Sequence, residues 1–199
     1  IIPIGSYYLT IMEERKAVNK KLFYDKYNII SGKKIIVVAS QVTVDRRLYE
    51  ITNEIAGKLN GFAVIFVPRI VEEYHKSNEK TDFYIEDKLD IYQLMQNADV
   101  TISVYSTCAV ESLFLGTPVL LWDIEGLAKA CYGEVFKGIN SVCFIDKFDD
   151  GLFMIKKFSE INRKDVKKEG MAFFESNYRE NMDNALDRIV EDRGFRMKK

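Results

Sequence analysis

Residues 99–122 read Asp-Val-Thr-Ile-Ser-Val-Tyr-Ser-Thr-Cys-Ala-Val-Glu-Ser-Leu-Phe-Leu-Gly-Thr-Pro-Val-Leu-Leu-Trp, and this order leaves the chain few ways to fold. An apolar, β-branched run is followed by a turn of small residues. A helical stretch with one carboxylate, a Gly-Thr-Pro break and a second apolar run come next. Two buried parallel strands joined by a crossover helix satisfy that order. The turn puts the hydroxyls of Ser106 and Thr107 at a helix N-terminus, where unpaired N–H groups and a partial positive charge suit a phosphate. Capping alone also explains a Ser-Thr pair. Glu111 lies about one turn further on, among Ala109, Val110, Leu113, Phe114 and Leu115. A carboxylate on so apolar a helix needs a partner, either a ribose diol or a nearby cation.

The same alternation runs through the middle of the chain. Residues 34–40 (Lys-Ile-Ile-Val-Val-Ala-Ser), 62–67 (Phe-Ala-Val-Ile-Phe-Val), 83–85, 100–104, 119–121 and 141–145 read as short strands. All-apolar runs of this length suit strands buried on both faces of a parallel sheet. Helices are expected over 7–27, 46–59 and 90–98, with a short helix and loop over 71–80. Beyond Asp149 there is no strand signal, and residues 151–160, 165–177 and 181–192 read as helices. The expected fold is α/β: a doubly wound, mostly parallel Rossmann-like sheet with additional C-terminal helices. Residues 1–32 form an N-terminal connector and helix, 33–148 the sheet domain, and 149–199 helices packed on that same domain. In such sheets ligands bind at the carboxyl ends of the strands. The loops that matter are therefore 40–45, 67–72, 86–90, 105–109 and 123–128.

Composition narrows the function classes. The formal net charge of −1 gives no global basicity for a nucleic-acid partner. The three cysteines, Cys108, Cys131 and Cys143, are far apart and lack metal-ligand spacing, so they read as buried free thiols of a reducing compartment. No metal cluster is expected, and His75 in Glu-Glu-Tyr-His-Lys reads as a surface residue. No Gly-x-Gly-x-x-Gly follows the run at 34–40, where the chain reads Gln41-Val-Thr-Val-Asp45, and there is no Walker A sequence. Dinucleotide oxidoreductases and P-loop nucleotidases are disfavoured. Arg46-Arg47 and Arg69 follow strand ends, a placement that suits a diphosphate or simple solvation. No run approaches a membrane span or a signal-peptide core, and a first residue of Ile fits a domain cut from a longer protein.

Residues 90–121, with a looser match over 33–144, resemble the nucleotide-binding half of GT-B-fold glycosyltransferases. The likeness extends to capsule and teichoic-acid polymerising transferases, polysialyltransferases and the non-hydrolysing UDP-N-acetylglucosamine 2-epimerases. It rests on a helix feeding Ala98-Asp99, a strand, the Ser106-Thr107 turn, a helix with Glu111, and Gly116-Thr-Pro118. The resemblance implies that Ser106 and Thr107 hold donor phosphates and that Glu111 binds the donor ribose. It also implies that Gln41 faces an interdomain cleft and that Phe66-Val-Pro-Arg69 aligns with a His-Pro element. Two positions depart from the pattern: Val67 stands where many relatives have a histidine before proline, and Ser103 where some retaining members have a glutamate. The function implied is the donor-binding domain of a glycosyltransferase of surface-polysaccharide synthesis, half of a two-domain active site. It would take a nucleotide sugar and a glycan acceptor, with no cofactor or metal. The other half would come from a missing N-terminal Rossmann-like domain or a partner chain. A cytoplasmic location, peripheral contact with the inner membrane face and oligomerisation fit this reading. Alternatives are a 2-epimerase-like or polyol-phosphate transferase domain, or a non-catalytic α/β interaction module.

Overall fold

Short apolar runs bury their backbone polar groups most cheaply by pairing with one another. In the computed structural model, which describes residues 20–30, 32–69, 74, 82–86, 88–173 and 178–192, six of them do so in one sheet. The strands are β1 (Lys34–Ala39), β2 (Phe62–Val67), β3 (Phe83–Ile85), β4 (Val100–Ser103), β5 (Val119–Trp122) and β6 (Val142–Ile145). Their order is β3-β2-β1-β4-β5-β6, and all five pairings are parallel. This is the doubly wound Rossmann order, and it reverses direction between β1 and β4.

The described helices are α1 (Lys20–Tyr27), α2 (Asp45–Lys58), α3 (Ile91–Asn97), α4 (Cys108–Phe114), α5 (Leu127–Tyr132), α6 (Phe148–Phe158), α7 (Arg163–Met171) and α8 (Tyr178–Asp192). Alternate residues of β1 enter different cores. Ile36 and Val38 pack in a cluster with Leu48, Ile51 and Ile55 of α2. Ile35, Val37 and Ala39 pack with Tyr27 of α1 and with Leu94 and Met95 of α3. The strand is thus covered on both sides, as its unbroken apolar sequence requires.

Two elements were not expected. A short 3₁₀ turn (Ile124–Gly126) and α5 occupy what read as a loop. Helix α6 begins at Phe148, three residues before the expected start, because Asp149 and Asp150 favour its positive end. Helix α7 ends at Met171, short of the expected 177. Cys131 is exposed rather than buried, because α5 turns Ala128 to the core instead. The expected strand or connector at 1–6, residues 7–19 of the first helix, His75 and most of the segment 71–80 lie outside the described residues.

Helix α4 is held unusually close by its neighbours. A Cβ on Gly170 of α7 would stand 2.4 Å from the carbonyl carbon of Leu113 and from the amide nitrogen of Phe114. Gly116, with φ +80°, ends α4 in the left-handed region, and a Cβ there would meet the Arg163 carbonyl oxygen at 2.8 Å. The Arg163 guanidinium donates to the carbonyls of Ala98, Gln96 (3.0 Å) and Leu115 (3.1 Å) and to the Thr117 hydroxyl (2.8 Å). One cation thereby serves carbonyls at the C-terminal ends of both α3 and α4, where the helix dipoles are negative.

Candidate functional site

The sheet's reversal point opens between the carboxyl ends of β1 and β4. Gln41 leaves β1 there, and its side chain turns inward. Its amide donates to the Ala39 carbonyl at 3.0 Å and to Ser103 Oγ at 2.8 Å. Ser103 Oγ in turn donates to the Ala39 carbonyl at 2.8 Å. Gln41 Oε1 accepts the Tyr105 N–H at 3.4 Å. Gln41 therefore fastens the β1 loop to the β4 turn, and its side chain is buried.

The turn itself is built around Ser106. Its hydroxyl accepts the Cys108 N–H at 3.3 Å, whereas Thr107, the residue before α4, makes no side-chain cap bond. Ser106 is buried and Thr107 is exposed. The first turn of α4 is satisfied internally: Ala109 N–H donates to Ser106, and Val110 and Glu111 N–H donate to Thr107. Among the described residues, the N–H groups of Ser106 and Thr107 and the Thr107 hydroxyl have no acceptor, so they are the donors the turn leaves for a ligand.

Glu111 is half-buried on the same helix. Burial pushes its carboxyl above the ordinary range; hydrogen bonds from Tyr92 and Cys108 and the charge of Arg69 pull the other way without cancelling it. The Tyr92 hydroxyl reaches Glu111 Oε1 at 3.4 Å, a long bond, and its own pKa is pushed up to about 12 by burial and by the Glu111 charge. Burial likewise pushes the Cys108 thiol up, the opposite of what an activated nucleophile requires. Tyr92 and Tyr132, whose phenol burial also pushes up, were not singled out from sequence. They arrive from α3 and α5, and only the tertiary fold brings them to Glu111.

Arg69 completes this group. Its Nε donates to the Ser40 carbonyl at 3.1 Å and its N–H to Asp45 Oδ1 at 3.4 Å, while its charge acts on both Glu111 and Cys108. A small cavity of about 50 Å³ lies between Ser40, Arg69, Ile91 and Cys108. Among the described residues, Ser40 Oγ and Asp45 Oδ2, both buried near Arg69, have no hydrogen-bond partner. Val67, in place of the histidine, lines the same cavity. The cation of the two readings for Glu111 is therefore Arg69, at a distance that acts through charge without a direct salt bridge. Arg46 and Arg47 point elsewhere: both pair with the exposed Glu50.

A larger cavity, about 560 Å³, opens at the carboxyl ends of β5 and β6 against the first turns of α2. Its walls include Thr43, whose hydroxyl is bonded to that of Tyr105 in the β4 turn. Among the described residues, no group of three or more His, Cys, Asp and Glu side chains is placed to hold a metal ion. No helix of the described residues is long and apolar enough to cross a membrane.

No family model matches the chain, and no match is found among curated proteins. Solved structures do match. The spinosyn rhamnosyltransferase SpnG, complexed with thymidine diphosphate, superposes with a TM-score of 0.59 at 13% identity, over 81% of this chain and 46% of that one. A candidate UDP-N-acetylglucosamine 2-epimerase from Listeria monocytogenes gives 0.59 at 12% identity, over 99% of this chain and 55% of that one. The C-terminal CMP-Kdo-binding domain of WaaA from Acinetobacter baumannii gives 0.54 at 11% identity, over 82% of this chain and 97% of that one. The chain thus spans about half the length of the two longer proteins. At these identities the likeness establishes the fold: this chain has the Rossmann-like α/β fold of one domain of the GT-B glycosyltransferases.

Proposed function

We propose that this chain is the nucleotide-sugar-binding domain of a glycosyltransferase of surface-polysaccharide synthesis, working as half of a two-domain active site. The observation that carries the reading is the joining of three features at the sheet's reversal point. These are the free Ser106 and Thr107 donors, the half-buried Glu111, and Arg69 between them and β2. In this reading the two N–H groups and the Thr107 hydroxyl donate to diphosphate oxygens, and Arg69 adds positive charge. Glu111 accepts hydrogen bonds from the ribose hydroxyls, which replaces the weak Tyr92 contact with strong charge-assisted ones. The departing nucleoside diphosphate is stabilised by the same preorganised donors, without a metal or cofactor. The acceptor and its general base belong to a second domain or partner chain, and the protein works in the cytoplasm.

Bound nucleotides in the matching proteins support this reading: SpnG is complexed with thymidine diphosphate, and the WaaA domain is described as binding CMP-Kdo. A second reading, a 2-epimerase-like domain that shares the donor site, is favoured by the 99% coverage of this chain by the Listeria protein.

Titration calorimetry with UDP, GDP, CDP and CMP tests the proposal. One of the four is expected to bind the wild type. Glu111→Ala should weaken it about tenfold or more, since hydrogen bonds to a charged group contribute about 1.5–3 kcal/mol. Failure of all four to bind, or unchanged binding by Glu111→Ala, overturns it. A marked CDP preference would point to polyol-phosphate transfer instead.

A further inference from the structure

The larger cavity is not used by any group assigned so far. Its floor is Trp122, only 5% exposed. Cη2 and Cζ3 of the indole face Gly151 of α6, where a Cβ would meet them at 2.5 and 2.7 Å, so the benzo edge is packed away from the cavity. Asp123 lines the cavity with a side chain only 6% exposed, held by the Lys129 N–H (3.0 Å) and by Lys129 Nζ (3.2 Å). Glu125 stands on the rim, fixed there by a left-handed backbone (φ 53°), and Asp146 joins it from the end of β6. Arg47 is the single cation in the lining. Lys129, which also reaches Asp146 at 3.4 Å, stands behind the two aspartates. Even counting Lys129, carboxylates outnumber cations three to two.

The cavity borders the β4 turn: Thr43 lines it, and the Thr43 hydroxyl is bonded to that of Tyr105, the residue before Ser106. A ligand whose diphosphate sits on Ser106 and Thr107 would therefore extend its far end over β5 and β6. We propose that this cavity receives the glycosyl group of the donor and selects sugars bearing hydroxyl or amino groups over sugars bearing a carboxylate. The inference rests on the donor-site reading above and adds the charge class of the sugar. Carboxylates accept hydrogen bonds from sugar hydroxyl and amino groups. A carboxylate on the sugar would meet like charges, and the one cation in the cavity lining, Arg47, is already paired with Glu50; like-charge juxtaposition is an effective way to reject a wrong ligand.

The test is titration calorimetry of the chain with matched pairs: UDP-glucose against UDP-glucuronate, and GDP-mannose against GDP-mannuronate, with CMP against CMP-N-acetylneuraminate as a third arm. For the base that binds, the neutral sugar nucleotide is expected to bind at least as tightly as the bare nucleotide. The uronate is expected to bind about tenfold more weakly than its neutral partner at low salt, with the gap narrowing at high salt as screening sets in. The double variant Glu125→Gln, Asp146→Asn should close the gap while binding the bare nucleotide as the wild type does, which also shows that it is folded. A uronate that binds as tightly as its neutral partner, or CMP-N-acetylneuraminate binding more tightly than CMP, overturns the inference and leaves the donor site standing. If no nucleotide binds, the donor reading falls and the cavity assignment falls with it.

Discussion

Replacing Gly170 with alanine should destabilise the protein, although alanine is the better helix former. The new Cβ would lie 2.4 Å from two backbone atoms of α4 and 2.6 Å from the Leu113 carbonyl oxygen. Backbone cannot rotate away as the tip of a side chain can, so α7 and α4 must separate. Overpacking of this kind costs about 3 kcal/mol at the upper end of the usual range. The gain from Gly to Ala in a helix interior offsets about 1 kcal/mol of it. The net loss is about 2 kcal/mol, a fall of about 4–8 °C in Tm for a chain of this size. The control is Gly57→Ala in α2, where a Cβ would meet nothing within 4 Å. That substitution should raise stability by about 0.5–1 kcal/mol. Thermal and urea unfolding followed by circular dichroism measure both. Equal shifts in the two variants, or a more stable Gly170→Ala, would refute the close contact between α7 and the helix that carries Glu111.

Other outcomes follow from the buried charges. Burial alone would raise the Glu86 carboxyl, but hydrogen bonds from Lys26, Tyr27 and the N–H groups of Lys88 and Leu89 outweigh it and hold it at about 2. Its contribution is present above the unfolded value of about 4.5 and is lost as pH falls towards 2; Glu86→Gln should remove that acid-limb slope in stability-versus-pH data and cost about 2 kcal/mol at pH 7. The Glu111 shift has the opposite sign. A carboxyl raised in the fold gives stability at low pH that is lost as pH rises through its folded value, so Glu111→Gln should be more stable than wild type at pH 8 and no more stable at pH 4, by thermal melts. Nucleotide affinity should fall on acidification at a higher pH than an ordinary glutamate would give, as read by calorimetry from pH 8 to 5. Arg163→Met removes the donor shared by the carbonyls at the ends of α3 and α4 and should lower stability by about 1–2 kcal/mol in urea unfolding.

Much of the architecture was legible because the strands are unbroken apolar runs, which have few alternatives to a doubly covered parallel sheet. Asp90 was a readable helix start, and its carboxylate accepts the Tyr92 N–H at 3.0 Å. Helix α5 was not legible, since six residues are too few to show a helical period. The motif residues resolved into two kinds. Asp99 accepts the Ile35 N–H at 2.7 Å, and the Thr117 hydroxyl donates to the Met95 carbonyl at 2.7 Å, so these build the sheet and tie the segment after α4 to α3. Ser106, Thr107 and Glu111 lie along the β4 turn and α4, and Arg69, at the end of β2, lies close enough for its charge to act on Glu111. Gln41 reaches the same place with its amide turned inward to Ala39 and Ser103, a direction that no sequence pattern encodes. The partners of Glu111 were hidden for a similar reason: Tyr92 and Tyr132 lie on different helices, and only tertiary packing joins them.

The account turns on whether a nucleotide binds at the β4 turn. Amide-resolved NMR during titration with the tightest of UDP, GDP, CDP and CMP measures this directly. The largest shifts should fall on Ser106, Thr107 and Arg69, with smaller ones along α4 as far as Glu111 and none in α6 or α8. Saturable binding whose shifts leave residues 104–111 untouched would contradict the account, because the Ser106 and Thr107 donors would then serve no ligand.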